Sequence, residues 1–213
     1  MSSLRNNVLF YGMAEKEIQE IMSVIPHIIK KFDEEDIIVH QGDIVDSIGI
    51  VIEGDAIGKK YTPDGEEIIV SHMDDRQVFG DVLSGANGFA SPVTVQALEK
   101  CTVLFIDYNR LISSDHALIH KVLRNMIQNI SIKYFTQNKR MDILMLKSVR
   151  AKVMAYLEWQ SDVKRSKTFL IDLDRRLMAD FLGVERSALS RELSRMKKDG
   201  IIDYCKNRFT LLI

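Results

Sequence analysis

The sequence predicts an α+β chain: an antiparallel β-roll, then a long helix leading to a small helical domain closed by a hairpin. Three observations predict it. Between residues 37 and 107, apolar residues come in short β-branched runs separated by Gly-Asp and Pro-Asp-Gly turns. From 109 to 138 the apolar period becomes that of a helix with a broad stripe. Residues 173 to 200 read as two short helices around a glycine, and the two apolar runs beyond them flank Lys206-Asn207.

The composition suits such a chain. It has 213 residues, 46% hydrophobic and 28% charged, room for two small domains. No apolar run approaches the ~18 residues that a membrane span needs. The start, MSSLRNNVLF, lacks the basic-then-apolar order of a signal peptide. A cytoplasmic protein with no membrane partner is expected. Two cysteines, Cys101 and Cys205, exclude a disulfide scaffold. The net charge of -1 hides an asymmetry: residues 139–213 hold 17 Lys and Arg against 10 Asp and Glu, whereas residues 1–138 hold 12 against 20. A basic C-terminal part suits a polyanion, because each neutralised phosphate releases counterions.

In chain order, Ile18, Ile21, Met22 and Ile25 place a helix within residues 12–31, ended near Pro26. Strands follow at 37–43, 47–55, 56–61, 66–72 and 93–107, punctuated by Gly42-Asp43, Gly54-Asp55 and Pro63-Asp64-Gly65. This rhythm predicts a compact antiparallel, jelly-roll-like roll, and small barrels of this kind have room for one ligand. In the long helix, Leu118, Ile119, Val122, Leu123, Met126, Ile127 and Ile130 form a stripe, with Tyr134 and Phe135 beyond. It is broader than the roll alone would hide. Two copies are therefore expected to pair through Ile119, Val122, Leu123, Met126, Ile127 and Ile130. After Gln137–Arg140 a second helix is expected from about 143 to 160, then a loop at 161–167 and a strand at 169–174. The predicted divisions are a roll at 1–110, a pairing helix at 111–138 and a third part at 139–213.

The short helix pair carries the chemistry. Asp174 is placed to cap the first helix, Leu177, Ala179 and Leu182 share its apolar face, and Gly183 stands where a left-handed terminator is wanted. The second helix opens near Arg186 and buries Leu189, Leu193 and Met196. Its other face carries Arg186, Ser187, Ser190, Arg191 and Arg195. The spacing Ala179, Gly183, Leu189 is that of a helix-turn-helix, a motif that lays its second helix in the major groove of double-stranded DNA.

In this order the parts resemble the Crp/Fnr family of bacterial transcription regulators. The likeness rests on Gly42, Asp46, Gly54, Gly65 and Phe79-Gly80-Asp81 in the roll. In the C-terminal part it rests on Leu177, Ala179, Leu182-Gly183-Val184, Ser190-Arg191 and Gly200-Ile201-Ile202. The resemblance implies a winged helix-turn-helix behind a cyclic-nucleotide-binding-like roll. It also implies a homodimer on a two-fold-symmetric site, contact with RNA polymerase, and a small-molecule effector in the roll that shifts the DNA-binding domains. Arg191 matches the family's guanine-reading arginine, and Ser190-Arg191 the Ser-Arg pair of the Fnr-like branch. Arg186 is left to reach a base or a phosphate. Ser187 stands where members often carry a glutamate that accepts from cytosine. Arg195, Lys197 and Lys198 are expected to be phosphate contacts or plain surface.

The effector segment departs from the cyclic-nucleotide pattern. It comprises Phe79, Gly80, Asp81, Val82, Leu83, Ser91, Pro92 and Val93. Asp81 replaces a longer glutamate, and Ser91-Pro92 falls where the phosphate-binding Arg-Ser pair is expected. Losing that cation removes charge-assisted hydrogen bonds to the anion, so cyclic AMP is not expected. The N-terminal cysteine cluster of the Fnr branch is missing, and Cys101 reads as core. A haem-dependent gas sensor is the alternative, with His27, His40, His72, His116 and His120 as ligand candidates. Among these, His116 and His120 stand four apart. A cupin-like metalloenzyme needs clustered histidines, which the strands lack, so neither catalysis nor a metal site is expected.

Overall fold

Glycines and Pro26 mark where the chain changes direction. The computed structural model describes residues 2–61, 64–74, 76–86 and 88–213. Short 3-10 turns at Ser2–Asn6 and Val8–Phe10 precede helix α1 (Glu15–Val24). Strands β1 (His27–Phe32), β2 (Ile37–Val39), β3 (Ser47–Glu53), β4 (Ala56–Tyr61), β5 (Glu67–Met73) and β6 (Val78–Phe79) follow. A short helix, α2 (Asp81–Gly85), leads to β7 (Thr94–Ala97) and β8 (Cys101–Asp107), then to α3 (Tyr108–Ile112) and α4 (Ile119–Met145). The rest is α5 (Val149–Lys164), β9 (Thr168–Leu170), α6 (Arg175–Leu182), α7 (Arg186–Lys198), β10 (Ile202–Cys205) and β11 (Arg208–Leu211). The strands form antiparallel sheets ordered β1-β8-β3-β6, β2-β7-β4-β5 and β10-β11-β9. The chain divides into two units, Met1–Ile132 and Lys133–Ile213. Among the described residues, no helix is long and apolar enough to cross a membrane.

In the first unit the centre of the roll is buried on both faces. Ile48 and Ile50 of β3, with Leu104 and Ile106 of β8, pack against the N-terminal turns, α1 and the start of α4. The alternate residues Val51, Cys101 and Val103 face Ala56, Met73, Val95 and Ala97 of the second sheet. Covering both faces is why β3 reads as a nearly unbroken apolar run. Gly49 sits opposite both Phe79 and Phe105. A Cβ there would run into the Phe79 ring. That ring meets Phe105 edge-on at 6.2 Å, and Phe105 in turn meets Phe32 at 6.5 Å. Aromatic side chains fill this part of the roll.

Several expectations are corrected. The first helix ends before Pro26, but residues 27–32, for which no strand was expected, form β1, paired with β8 from His27↔Ile106 to Phe32↔Cys101. Pro26 disfavours helical geometry at Ile25, and the β-branched residues beyond it take the strand. Gly65 has the positive φ that a turn requires (83°), while Pro63 lies outside the described residues. α4 runs through Gln137–Arg140 to Met145, since nothing there breaks a helix, and α5 starts only where the Ser148 hydroxyl accepts from the Ala151 amide at 3.1 Å. The pairing stripe is also divided. Ile119, Val122 and Met126 are buried in the roll's own core, with Leu123 and Ile130 packed partly against it. Only Ile127 of the six is open, at 61% exposure.

The contact at Gly49 gives a test. Gly49→Ala should destabilise the roll by about 1–3 kcal/mol, the usual result of overpacking a filled core, read as a lower urea midpoint. An unchanged midpoint would show that Phe79 can move aside.

Candidate nucleic-acid interface

The helix pair is built from its caps inward. The Asp174 carboxylate accepts from the Leu177 amide at 2.8 Å, which holds its pKa below the usual carboxylate value. α6 then buries Met178, Ala179 and Leu182. Leu177, expected on that face, is 43% exposed; Met178, one residue on, takes the inward position. Gly183 closes α6 in the left-handed conformation (φ 59°), and the Val184 amide donates to the Ala179 carbonyl at 3.1 Å. A Cβ on Gly183 would lie 2.7 Å from Leu144 Cδ2, so this turn excludes a side chain twice over.

Two cations complete the carbonyl end of α6. Arg140 donates to the carbonyls of Asp180 and Phe181, both at 3.2 Å, and Lys152 Nζ donates to that of Leu182 at 3.1 Å. Positive charge at a helix C-terminus is favourable, and here it also satisfies orphan carbonyls. On the far side, Arg150 bridges Glu192 (2.6 Å) and Asp199. Both carboxylates raise the Arg150 pKa, Glu192 more strongly. No local pattern in the sequence flags Arg140, Arg150 or Lys152, because each acts on residues 30 to 49 positions away.

α7 buries Leu189, Leu193 and Met196 and leaves the opposite face in solvent. Arg186, Ser187, Ser190, Arg191 and Arg195 are all exposed, so the structure brings the five residues onto one open surface. The side chain of Arg191 makes no hydrogen bond or ion pair among the described residues, leaving its fork free. The Ser190 hydroxyl donates back to the Arg186 carbonyl at 3.0 Å, so it turns lone pairs outward and favours a donor on the ligand. Arg195 lies 3.7 Å from Glu192, a loose tether. Lys197, expected as a phosphate contact or surface, is committed to the hairpin: it pairs with Asp203 at 2.6 Å and donates to the Tyr204 carbonyl. Lys198 stays exposed. The hairpin turn, with Cys205, Lys206 and Arg208 exposed, closes the surface.

The segment expected to receive an effector makes most of its contacts within its own chain. Phe79 and Val93 pack against the roll's interior. Asp81 is buried and accepts from Asn129 of α4 at 3.2 Å. Ser91 is also buried: its hydroxyl donates to the Val93 carbonyl at 2.7 Å, and its backbone pairs with Gly42 and Asp43. Gly80 is left-handed (φ 76°) as it enters α2. Leu83 is half-buried, and Val82 and Pro92 are exposed. The histidine pair is corrected too. His116 precedes α4, outside the helix, and lies 3.2 Å from Glu20, so it shares no helical face with His120. Cys101 is buried in the roll core, where burial pushes its pKa up. A cleft of about 190 Å³ opens elsewhere, lined in part by Tyr11, Asn125, Gln128 and Ile132.

Comparison with known proteins agrees with this geometry. The model of the cyclic nucleotide-binding domain matches residues 29–113, and that of the Crp-like helix-turn-helix domain matches residues 151–212. The transcriptional activator protein FnrA of Stutzerimonas stutzeri is 25% identical over 169 residues, covering 76% of this chain and 68% of that protein. The nitrogen fixation regulation protein FixK of Bradyrhizobium diazoefficiens is 25% identical over 187 residues, covering 85% and 76%. Among solved structures, the catabolite activator protein of Thermus thermophilus shares the fold at a TM-score of 0.57 and 19% identity, covering 96% of this chain and 93% of that one.

The Asp174 cap should give a pH signature. Its folded pKa is depressed, so its contribution is present above about pH 4, its unfolded range, and drains as pH falls through the lowered value. Asp174→Asn keeps a capping oxygen without the titration. Melting of the C-terminal unit should therefore lose more on acidification in the native protein than in the variant. Parallel acid profiles would show that the cap carries no linked proton.

Proposed function

The chain belongs to the Crp/Fnr family of transcription regulators, and from that premise we propose that it works as a homodimer reading a two-fold-symmetric DNA site through α7. The observation that carries this reading is the single open face holding Arg186, Ser187, Ser190, Arg191 and Arg195 above the buried Leu189, Leu193 and Met196. Arg191 donates its fork to O6 and N7 of a guanine. Ser190, and Ser187 where a glutamate is common, read neighbouring bases less selectively. Arg186 takes a base or phosphate and Arg195 a phosphate, setting affinity and salt dependence. In the dimer the two α7 helices stand about 34 Å apart, one turn of DNA. Such a protein acts by binding, in the cytoplasm, and meets RNA polymerase at its promoter.

Pairing is supported by what remains of α4 once the roll has taken its share. Leu123, Ile127, Ile130, Tyr134, Met141 and Leu144 fall at alternating four- and three-residue spacing, with Gln137 as the one polar interruption. Ile127, Tyr134 and Met141 are exposed, as heptad positions awaiting a partner would be. A lone polar residue in such a seam fixes register. Control enters through the effector segment, where Asp81 of α2 is bonded to Asn129 on the pairing helix. The filled interior and the missing phosphate-binding arginine argue for an effector other than cyclic AMP.

Selecting bound sites from random DNA, with the protein alone and then with cell extract, tests the reading. A palindrome should emerge; enrichment of no sequence under either condition would refute it. Arg191→Ala should cost about 1–3 kcal/mol of discrimination at one guanine while salt-sensitive binding persists, and retained specificity would remove its assigned role. Ile127→Asp should shift sedimentation from dimer to monomer without unfolding the roll. A dimer that survives would place pairing elsewhere.

A further inference from the structure

Arg175, at the start of α6, is turned onto the hairpin. Its guanidinium carbon lies 4.9 Å from the centre of the Phe209 ring and 5.3 Å from that of Tyr204. Those rings stack on each other at 5.5 Å. One terminal nitrogen, Nη2, donates to the carbonyl of Lys206, the residue whose left-handed backbone (φ 51°) forms the β10–β11 turn. The other, Nη1, is enclosed with no hydrogen-bond partner. Burial pulls the Arg175 pKa below its ordinary value, so the cation sits there at an expense that the ring faces partly offset. The planar guanidinium spans both rings and still has a terminal nitrogen for the Lys206 carbonyl, a forked geometry that a lysine's single ammonium does not reproduce.

What this arrangement fixes is the turn carrying Lys206 and Arg208, both exposed. Lys197 holds the root of the same hairpin through Asp203 and the Tyr204 carbonyl. The turn is therefore gripped from α6 at its tip and from α7 at its base. We propose that Arg175 is a positioning residue for DNA binding, which holds the hairpin turn so that Lys206 and Arg208 meet backbone phosphates. It thereby sets affinity and salt dependence without touching a base. The inference rests on the DNA-binding reading and adds to it a residue that no base contact would reveal.

The test measures affinity against salt concentration, with the full-length protein and a random-sequence duplex, so that no effector or operator is required. Lys206→Ala with Arg208→Ala should reduce the salt slope by about 1.8, two phosphates at about 0.9 each. Arg175→Met should lose most of the same slope, and roughly tenfold in affinity near physiological salt. Adding Arg175→Met to the double variant should change nothing further. Base preferences in site selection should stay as in the native protein. Arg175→Lys should behave like the methionine variant, and it carries the test if the latter fails to fold. A native slope in a folded Arg175 variant would overturn the proposal. So would a further loss of about 0.9 on the double-variant background, which would make Arg175 itself a phosphate contact. If the native protein shows no salt-dependent binding, the DNA-binding reading falls first; if it binds and the Arg175 variants match it, only this inference falls.

Discussion

A helix of 13 residues is marginal by itself in water, so whatever α7 displays depends on the apolar contact beneath it. Leu189, Leu193 and Met196 supply one side of that contact. Met178, Ala179 and Leu182 of α6, Val153, Tyr156 and Leu157 of α5, and Ile202 and Phe209 of the hairpin belong to the same core. Ala179 is small where α6 must come close, and Gly183 turns the chain where a side chain would strike Leu144. Arg140 and Lys152 then satisfy the last carbonyls of α6. With its buried face fixed in this way, the exposed face of α7 has one orientation, and an arginine fork can recognise a base edge only from a defined orientation.

The roll faces the opposite demand. Its central strands are covered on both sides, by helices on one and by the second sheet on the other, and Phe32, Phe79 and Phe105 pack edge-on against one another in the interior. Nearby, Asp81 accepts from Asn129 and the Ser91 hydroxyl closes its own turn. A closely packed interior of this kind has little free volume to rearrange into.

Much of this was legible in the sequence because it is local. Asp174, Gly183 and the spacing of Leu189, Leu193 and Met196 each depend on neighbours within a turn or two of helix, and the structure places them as that pattern requires. Leu177 is an exception: Met178, 100° around the helix, turns inward in its place, a choice that tertiary packing makes and local spacing does not. The strand at 27–32 was hidden because its apolar residues continue those of α1, although Pro26 marked the change. Long-range ties had no signature at all. Arg140, Arg150, Lys152 and Arg175 look in the sequence like four more surface cations, and partners 30 to 49 positions away are what give them distinct work.

The long helix shows why an apolar stripe names a need for cover but not the cover itself. Its width comes from two adjacent faces. One holds Ile119, Val122 and Met126 and belongs to the roll's core; the other begins at Ile127 and continues through Tyr134 and Met141. A stripe read as a single surface merges them, since neighbouring faces of a helix differ by one residue position. Asn125 and Asn129 border the first face and bind the Leu9 and Tyr11 carbonyls and Asp81. Asn129, which donates to Asp81, and the exposed Ile127 thus stand two residues apart on one helix but on different faces of it.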